Sequence, residues 1–186
     1  MGYIFDPEKI QQIAQRGMGL PHEEMCSVIV DALSREYPGH IEREPEWCFN
    51  LAAGAVGMMG LLHASLTEYV IIFGSSIGTD SFSGRYRMDV YDAVITGEMW
   101  TYRESEFRRR EEWKPGEMAH LHRGDAKAYR ITPDTWMLEY ARGIIPASIG
   151  VGLGDAVFSA FDGTTIWKTL RAYGKLVTRE LLQGKI

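Results

Sequence analysis

The stretch Tyr86-Arg87-Met88-Asp89-Val90-Tyr91-Asp92-Ala93-Val94-Ile95-Thr96 reads as a β-strand, and the rest of the fold is read outward from it. Period-two alternation puts Tyr86, Met88, Val90, Asp92 and Val94 on one face, so Asp92 points where a core should be. A second strand, Thr135-Trp136-Met137-Leu138-Glu139-Tyr140, carries Glu139 in a run whose other polar member is its leading threonine. A buried carboxylate costs several kcal/mol unless it is paired or protonated. Two such acids in one small domain suggest a site.

Around these two runs the pattern stays extended. Tyr69-Val70-Ile71-Ile72-Phe73, Glu98 to Arg103, the segment around Met118 to His122, and Ala126 to Ile131 all read as strands. The spacers hold turn residues: Gly78-Thr79-Asp80, Ser83-Gly84, Thr96-Gly97, Pro115-Gly116, Arg123-Gly124-Asp125 and Pro133-Asp134. Many short strands at this spacing predict a compact barrel or sandwich. Helical spacing flanks it on both sides. Asp6-Pro7 leads into Ile10, Ile13 and Ala14, then Met25, Ile29, Val30 and Leu33, with a break between Arg16 and Pro21. After Pro146, Ile149, Leu153, Ala156, Val157 and Ala160 return to helical spacing.

The uncharged stretch from Trp47 to Thr67 is long enough to span a bilayer. Its Asn50, His63 and Ser65, with Gly54, Gly57 and Gly60, instead fit a close-packed helix whose second half becomes extended. No signal peptide or anchor is expected ahead of Tyr3-Ile4-Phe5-Asp6-Pro7. The last amphipathic stretch, Thr164 to Leu182, puts Trp167, Leu170, Tyr173, Gly174, Val177 and Leu181 on one face. Lys168, Arg171, Lys175 and Arg179 lie beside or opposite them. Such a helix either packs that face on the barrel, leaving its cations solvated, or lies in a membrane interface.

Composition narrows the classes. A chain of 186 residues with 45% apolar and 11% aromatic content fits one globular domain with a sizeable core. A net charge of −5 and a pI near 5.6 argue against a nucleic-acid partner. Arg108-Arg109-Arg110 is answered at once by Glu111 and Glu112 and reads as a solvated turn. Cys26 and Cys48 sit among apolar residues and form neither a disulfide framework nor a metal cluster.

Three chemistries can be weighed. His120 and His122, one residue apart, have the spacing of a cupin metal motif, but the next acid, Asp125, lies in a turn and no third histidine follows. No metal and no cofactor are expected. His63 reads as a hydrogen-bonded structural residue at the end of an apolar helix. No nucleophile elbow or glycine-rich phosphate loop is present. The acid pair remains. If Asp92 and Glu139 face one interior, close approach keeps a proton on one of them near neutral pH, so one acid and one base share a pocket. Moving a double bond needs that arrangement. The structural alternative is that the acids answer Arg85, Arg87 or Arg142.

The segments His63-Ala64-Ser65-Leu66-Thr67-Glu68-Tyr69-Val70-Ile71-Ile72-Phe73-Gly74, Ser83-Gly84-Arg85-Tyr86 and Thr135-Trp136-Met137-Leu138-Glu139-Tyr140-Ala141-Arg142-Gly143-Ile144-Ile145-Pro146 closely resemble the family of the sigma non-opioid intracellular receptor and fungal C-8 sterol isomerase. The likeness runs from about Tyr3 to the C-terminus and takes in Pro38-Gly39-His40 and Gly154-Asp155-Ala156-Val157-Phe158-Ser159. It implies an α+β fold, residues 1–186 as one domain: a helical layer over 1–64, a metal-free cupin-like β-barrel over 65–143, and two membrane-facing amphipathic helices over 144–186. It also implies a homotrimer, a membrane surface as partner, and the endoplasmic reticulum as location in a eukaryote. In the receptor branch the residue matching Glu139 pairs with a cationic amine, that matching Asp92 hydrogen-bonds to it, and that matching Tyr69 orients it. Phe73, Tyr86, Val90 and Met59 match pocket-lining positions. In the isomerase branch the ligand is a sterol whose double bond moves from carbons 8 and 9 to carbons 7 and 8 by carboxylate acid–base chemistry. Sterols or cationic amphiphilic small molecules are thus the implied ligands. This chain departs from the receptor at Ala55, in place of a bulky aromatic, and at Ile131, in place of a tryptophan. Its likeness begins after the N-terminal anchor of both branches. Alternation favours Asp92 over Asp89 as the second acid, because Asp89 falls on the opposite face beside Arg87.

Overall fold

The structure, a computed structural model, describes residues 2–185, so the outermost residues 1 and 186 of the expected domain lie outside it. Two helices open the chain. α1 (Pro7–Gln15) starts where Asp6 accepts from the Lys9 N–H and Pro7 presets the first turn. α2 (His22–Glu36) follows the break and buries Met25, Ile29 and Leu33.

Among the described residues ten strands follow, and they divide into two antiparallel sheets. β1 (Trp47–Ala52), β2 (Ala55–Ala64), β3 (Glu68–Ser75), β5 (Met88–Thr96), β8 (Met118–Leu121) and β10 (Thr135–Gly143) form a six-stranded sheet in the order β1-β2-β3-β10-β5-β8. β4 (Thr79–Phe82), β6 (Met99–Tyr102), β7 (Glu111–Trp113) and β9 (Ala128–Ile131) form a four-stranded sheet in the order β4-β9-β6-β7. Two helices, α3 (Ile149–Phe158) and α4 (Gly163–Leu182), end the chain.

The six-stranded sheet is covered on both faces, which is why β3, β5 and β10 read as nearly unbroken apolar runs. On one face Leu62, Val70, Ile72, Leu138 and Tyr140 pack against Phe5, Ile10, Ile13, Met25 and Leu33 of the N-terminal layer. Each such side chain contributes roughly 1.5–3 kcal/mol by leaving water. On the other face Met59, Leu61, Ile71, Phe73 and Met137 meet Met99 and Ile131 of the smaller sheet, with Leu176 of α4. A cavity lies between the sheets on this side, and Leu153 of α3 with Thr169 and Tyr173 of α4 help to line it.

Several expectations change. Residues 47–64 do not extend the helical layer: they form the β1–β2 hairpin, with His63 near the end of a strand and not of a helix. Ala53 and Gly54 both have positive φ (51° and 89°), the backbone of a tight two-residue turn that matches strand twist. Gly57 allows close strand approach, since a Cβ there would lie 2.5 Å from Phe73 and 2.6 Å from the Gly74 carbonyl. Thr79-Asp80 belongs to β4 and not to a turn, and Glu111-Glu112 begins β7, with Glu111 accepting from Thr101 Oγ1 at 3.1 Å.

The α4 stripe is also redistributed. Thr165, Leu176 and Glu180 are its buried residues, whereas Trp167 is 66% exposed and Leu170 and Leu181 are exposed too. Its cations fasten it instead of being merely solvated. Lys168 and Arg171 pair with Glu46, Lys175 pairs with Glu42 at 2.6 Å, and Arg179 donates to the His40 carbonyl at 2.8 Å. No described helix is long and apolar enough to cross a membrane.

Candidate active site

The site is built on three adjacent strands, β3, β10 and β5. Glu139 lies directly opposite Asp92 in the β10–β5 ladder and opposite Ile71 in the β10–β3 ladder. Cross-strand partners on one face hold their Cβ atoms about 5 Å apart, so the two carboxyl groups are neighbours by register alone. Tyr69 is diagonal to Glu139 on β3, and its hydroxyl donates to Glu139 Oε1.

Asp92 has a partner of its own. Lys127 Nζ donates to Asp92 Oδ2 at 2.6 Å, with each side chain only 7% exposed. Lys127 stands just before β9 with its backbone clamped: its N–H donates to Ser83 Oγ and its carbonyl accepts from the Ser83 N–H, both at 2.9 Å. None of the arginines proposed by the sequence, Arg85, Arg87 and Arg142, lines the cavity. Arg85 pairs with Glu104 at 2.8 Å on the surface, and the Arg142 guanidinium lies 5.2 Å from the centroids of the Tyr3 and Tyr91 rings. The Asp92 carboxylate therefore answers a lysine.

Burial pushes the Glu139 carboxyl up to about 7, helped by the charge of Asp92 and opposed by the Tyr69 hydrogen bond and the charge of Lys127. Burial also raises the Tyr69, Tyr86 and Tyr129 hydroxyls, with the two acids adding to the effect, so all three stay neutral donors. The pocket can thus hold one mobile proton near neutrality, a fixed ion pair and a ring of tyrosines.

All seven sequence-selected positions line this one cavity: Glu139, Asp92, Tyr69, Phe73, Tyr86, Val90 and Met59. Lys127 and Tyr129 line it too and were missed. The available signal was Lys127 standing alone among Ala126, Ala128 and Tyr129, together with the need of two buried acids for a cation. Asp89, as alternation requires, lies off this cavity, 3.2 Å from His120 Nε2.

That contact supplies the carboxylate absent from the local sequence. Asp89, His120 and His122 place ligand atoms within 4.8 Å of one another, as do His40, His63 and Glu180. Neither group lines the cavity. His63 is pushed down to about 4, chiefly by burial, and its Nδ1 lies 2.9 Å from the His40 carbonyl. It joins β2 to the segment that α4 covers, a structural place.

Fold and site together define a class: an α+β protein that encloses an acid pair in a largely apolar cavity between two sheets. The chain belongs to the family described as ERG2 and Sigma1 receptor like protein, which matches residues 1–185. It is 38% identical to the C-8 sterol isomerase ERG2 of Gibberella zeae over 187 residues, covering 99% of this chain and 79% of that one. It is 41% identical to sigma non-opioid intracellular receptor 1 of Gallus gallus over 175 residues, covering 93% and 78%. The C-8 sterol isomerase of Aspergillus fumigatus is 38% identical, with 98% and 78% covered. Among solved structures, KdgF from a Halomonas species has a TM-score of 0.44 at 13% identity, covering 56% of this chain and 93% of that one. An RmlC-like cupin from Shewanella frigidimarina has a TM-score of 0.43 at 11% identity, covering 54% and 85%.

Proposed function

We propose that this protein is a sterol isomerase that moves a ring double bond from carbons 8 and 9 to carbons 7 and 8. The observation that carries the reading is the cross-strand pair Glu139 and Asp92 at the wall of an apolar cavity, one of them with a carboxyl titrating near neutrality. A carboxylic acid adds a proton at carbon 9, the negative charge of the site stabilises the cation at carbon 8, and a carboxylate removes a proton from carbon 7. Tyr69 holds Glu139 in place. Met59, Phe73, Tyr86 and Val90 contact the apolar rings. In this reading the two sheets act as a cupin-like barrel around the sterol.

The sterol arrives from a membrane, in the eukaryotic case that of the endoplasmic reticulum, and the protein works as a homotrimer. Phe158, Phe161, Trp167, Leu170 and Leu182 stand exposed on and between α3 and α4 and suit a lipid surface. Purified protein given a Δ8 sterol in deuterated water yields Δ7 product with deuterium at carbon 9. Absence of conversion, with tight binding of a lipophilic amine, would overturn the reading in favour of a non-catalytic, receptor-like binding protein. The match to the chicken receptor supports that second reading.

A further inference from the structure

We propose that Lys127 is a positioning residue that fixes the charge state of the acid pair: it commits Asp92 to the carboxylate form and thereby leaves the exchangeable proton on Glu139, the group that delivers it to the substrate. The proposal rests on the isomerase reading for its chemistry and on side-chain geometry for its charge assignment.

Three observations carry it. Lys127 and Asp92 touch at 2.6 Å with both side chains almost wholly buried, so ammonium and carboxylate form a neutral unit in a medium where an unpaired charge is costly. The backbone of Lys127 is held by both hydrogen bonds to Ser83, which fixes where its side chain leaves the chain beside the cavity. Glu139, directly across the ladder, has the Tyr69 hydroxyl as its donor, which only partly offsets the upward push of burial. The other titratable groups lining the cavity are Tyr86, Tyr129 and Tyr173, all neutral, so Lys127 is the sole cation among the described residues that line it. Two acids facing one cation retain one proton between them, and the acid without the cation is the one that keeps it.

The reaction then closes on Glu139. Its O–H bond breaks as the electron pair of the carbon 8–carbon 9 double bond takes the proton at carbon 9, leaving the cation at carbon 8. The carbon 7–hydrogen bond next gives its electron pair to the new carbon 7–carbon 8 double bond, and its proton goes to the Glu139 carboxylate. The acid is restored and nothing else is consumed. Asp92, neutralised by Lys127, supplies local field and not protons.

Infrared spectroscopy tests the assignment, first in the wild-type protein. In wild-type protein below neutrality, a protonated-carboxyl band is expected to shift when glutamate carboxyls carry carbon-13 and to stay when aspartates do, and to be absent from E139Q. In K127M a second protonated carboxyl is expected to follow the aspartate label. Its turnover is expected to fall about tenfold, with a second ionisation in the pH–rate profile, and K127R is expected to restore the single limb. A wild-type band that follows the aspartate label, or a K127M profile of unchanged shape, would overturn the proposal. If K127M does not fold, the wild-type labels and K127R still decide. If wild-type protein converts no Δ8 sterol, the isomerase reading fails while the infrared bands still report which acid holds the proton.

Discussion

Glu68 and Glu139 sit on neighbouring strands of the same sheet, point to opposite faces, and have opposite fates. Glu68 faces the helical layer with 0% exposure, and its carboxylate accepts from the Ile4 and Phe5 N–H groups at 2.9–3.1 Å, from Tyr140 Oη at 2.8 Å and from Lys185 Nζ at 2.8 Å. Glu139 faces the cavity with the Tyr69 hydroxyl as its donor and a second acid across the ladder. A buried acid surrounded by donors fastens two ends of a chain; one left short of donors beside a like charge becomes a place to store a proton. Burial alone does not separate the two. The donor inventory does.

The largest expected effect follows from exchanging this distinction. E139Q keeps the shape and removes the proton donor, so sterol turnover is expected to fall about 10³-fold while the melting transition stays within a few degrees of wild type. E68Q does the reverse. It leaves the Lys185 ammonium without its counter-charge and weakens the tie to residues 4 and 5, costing about 3 kcal/mol in chemical denaturation. The residual folded fraction is expected to turn over normally. An E139Q protein that unfolds, or an E68Q protein that is stable but inactive, would reverse the two roles.

The pH response separates them next. Because the folded carboxyl of Glu139 titrates near 7 while its unfolded counterpart lies near 4.5, the folded protein binds the extra proton over that interval. Its contribution to stability is full below the unfolded value and is lost as pH rises through the folded one. Wild-type stability relative to E139Q is therefore expected to fall between about pH 4.5 and 7, and turnover to fall above about 7. Denaturation midpoints at stepped pH for both proteins check the sign. A difference that grows with rising pH would contradict it.

What the chain discloses locally explains how much of this was legible. The two acids could be found because each interrupts an apolar strand, and alternation separated Asp92 from Asp89 because a three-residue step must reverse the face. Glu68 stood out less, at the edge of the run where a surface acid would also sit. Its partners lie 63 or more positions away at residues 4 and 5 and 72 away at Tyr140. Lys127 was hidden for the same reason: a lysine before a short strand reads as solvent-facing until the fold sets it against Asp92, 35 positions earlier. Residues 47–64 misled because glycine at 54, 57 and 60 fits both helix packing and sheet approach. Only the positive φ of Ala53 and Gly54 decides for a hairpin.

Tyr69 offers a finer adjustment. Its hydrogen bond lowers the Glu139 carboxyl against the upward push of burial, so Y69F is expected to move the alkaline limb of the pH–rate profile to higher pH. The loss of one buried bond costs about 1 kcal/mol, or several-fold in rate. A limb that moves to lower pH would show that the hydroxyl favours the protonated acid.

The smallest effect is the most selective. Arg85 lies one residue from the cavity-lining Tyr86, so sequence alone makes it a natural counter-ion for the acids, yet its guanidinium meets Glu104 with 57% and 87% of the two side chains exposed. An exposed pair of this kind contributes little, and R85A is expected to change stability by less than about 0.5 kcal/mol. It should also leave the alkaline limb where it is, because water and salt screen a surface charge from a cavity wall far better than they screen the buried Lys127. If R85A shifts that limb as far as K127M alters it, the field at Glu139 is set by the surface and the contrast between the two glutamates loses its cause. If it does not, the proton on Glu139 is governed by a single buried cation acting through Asp92.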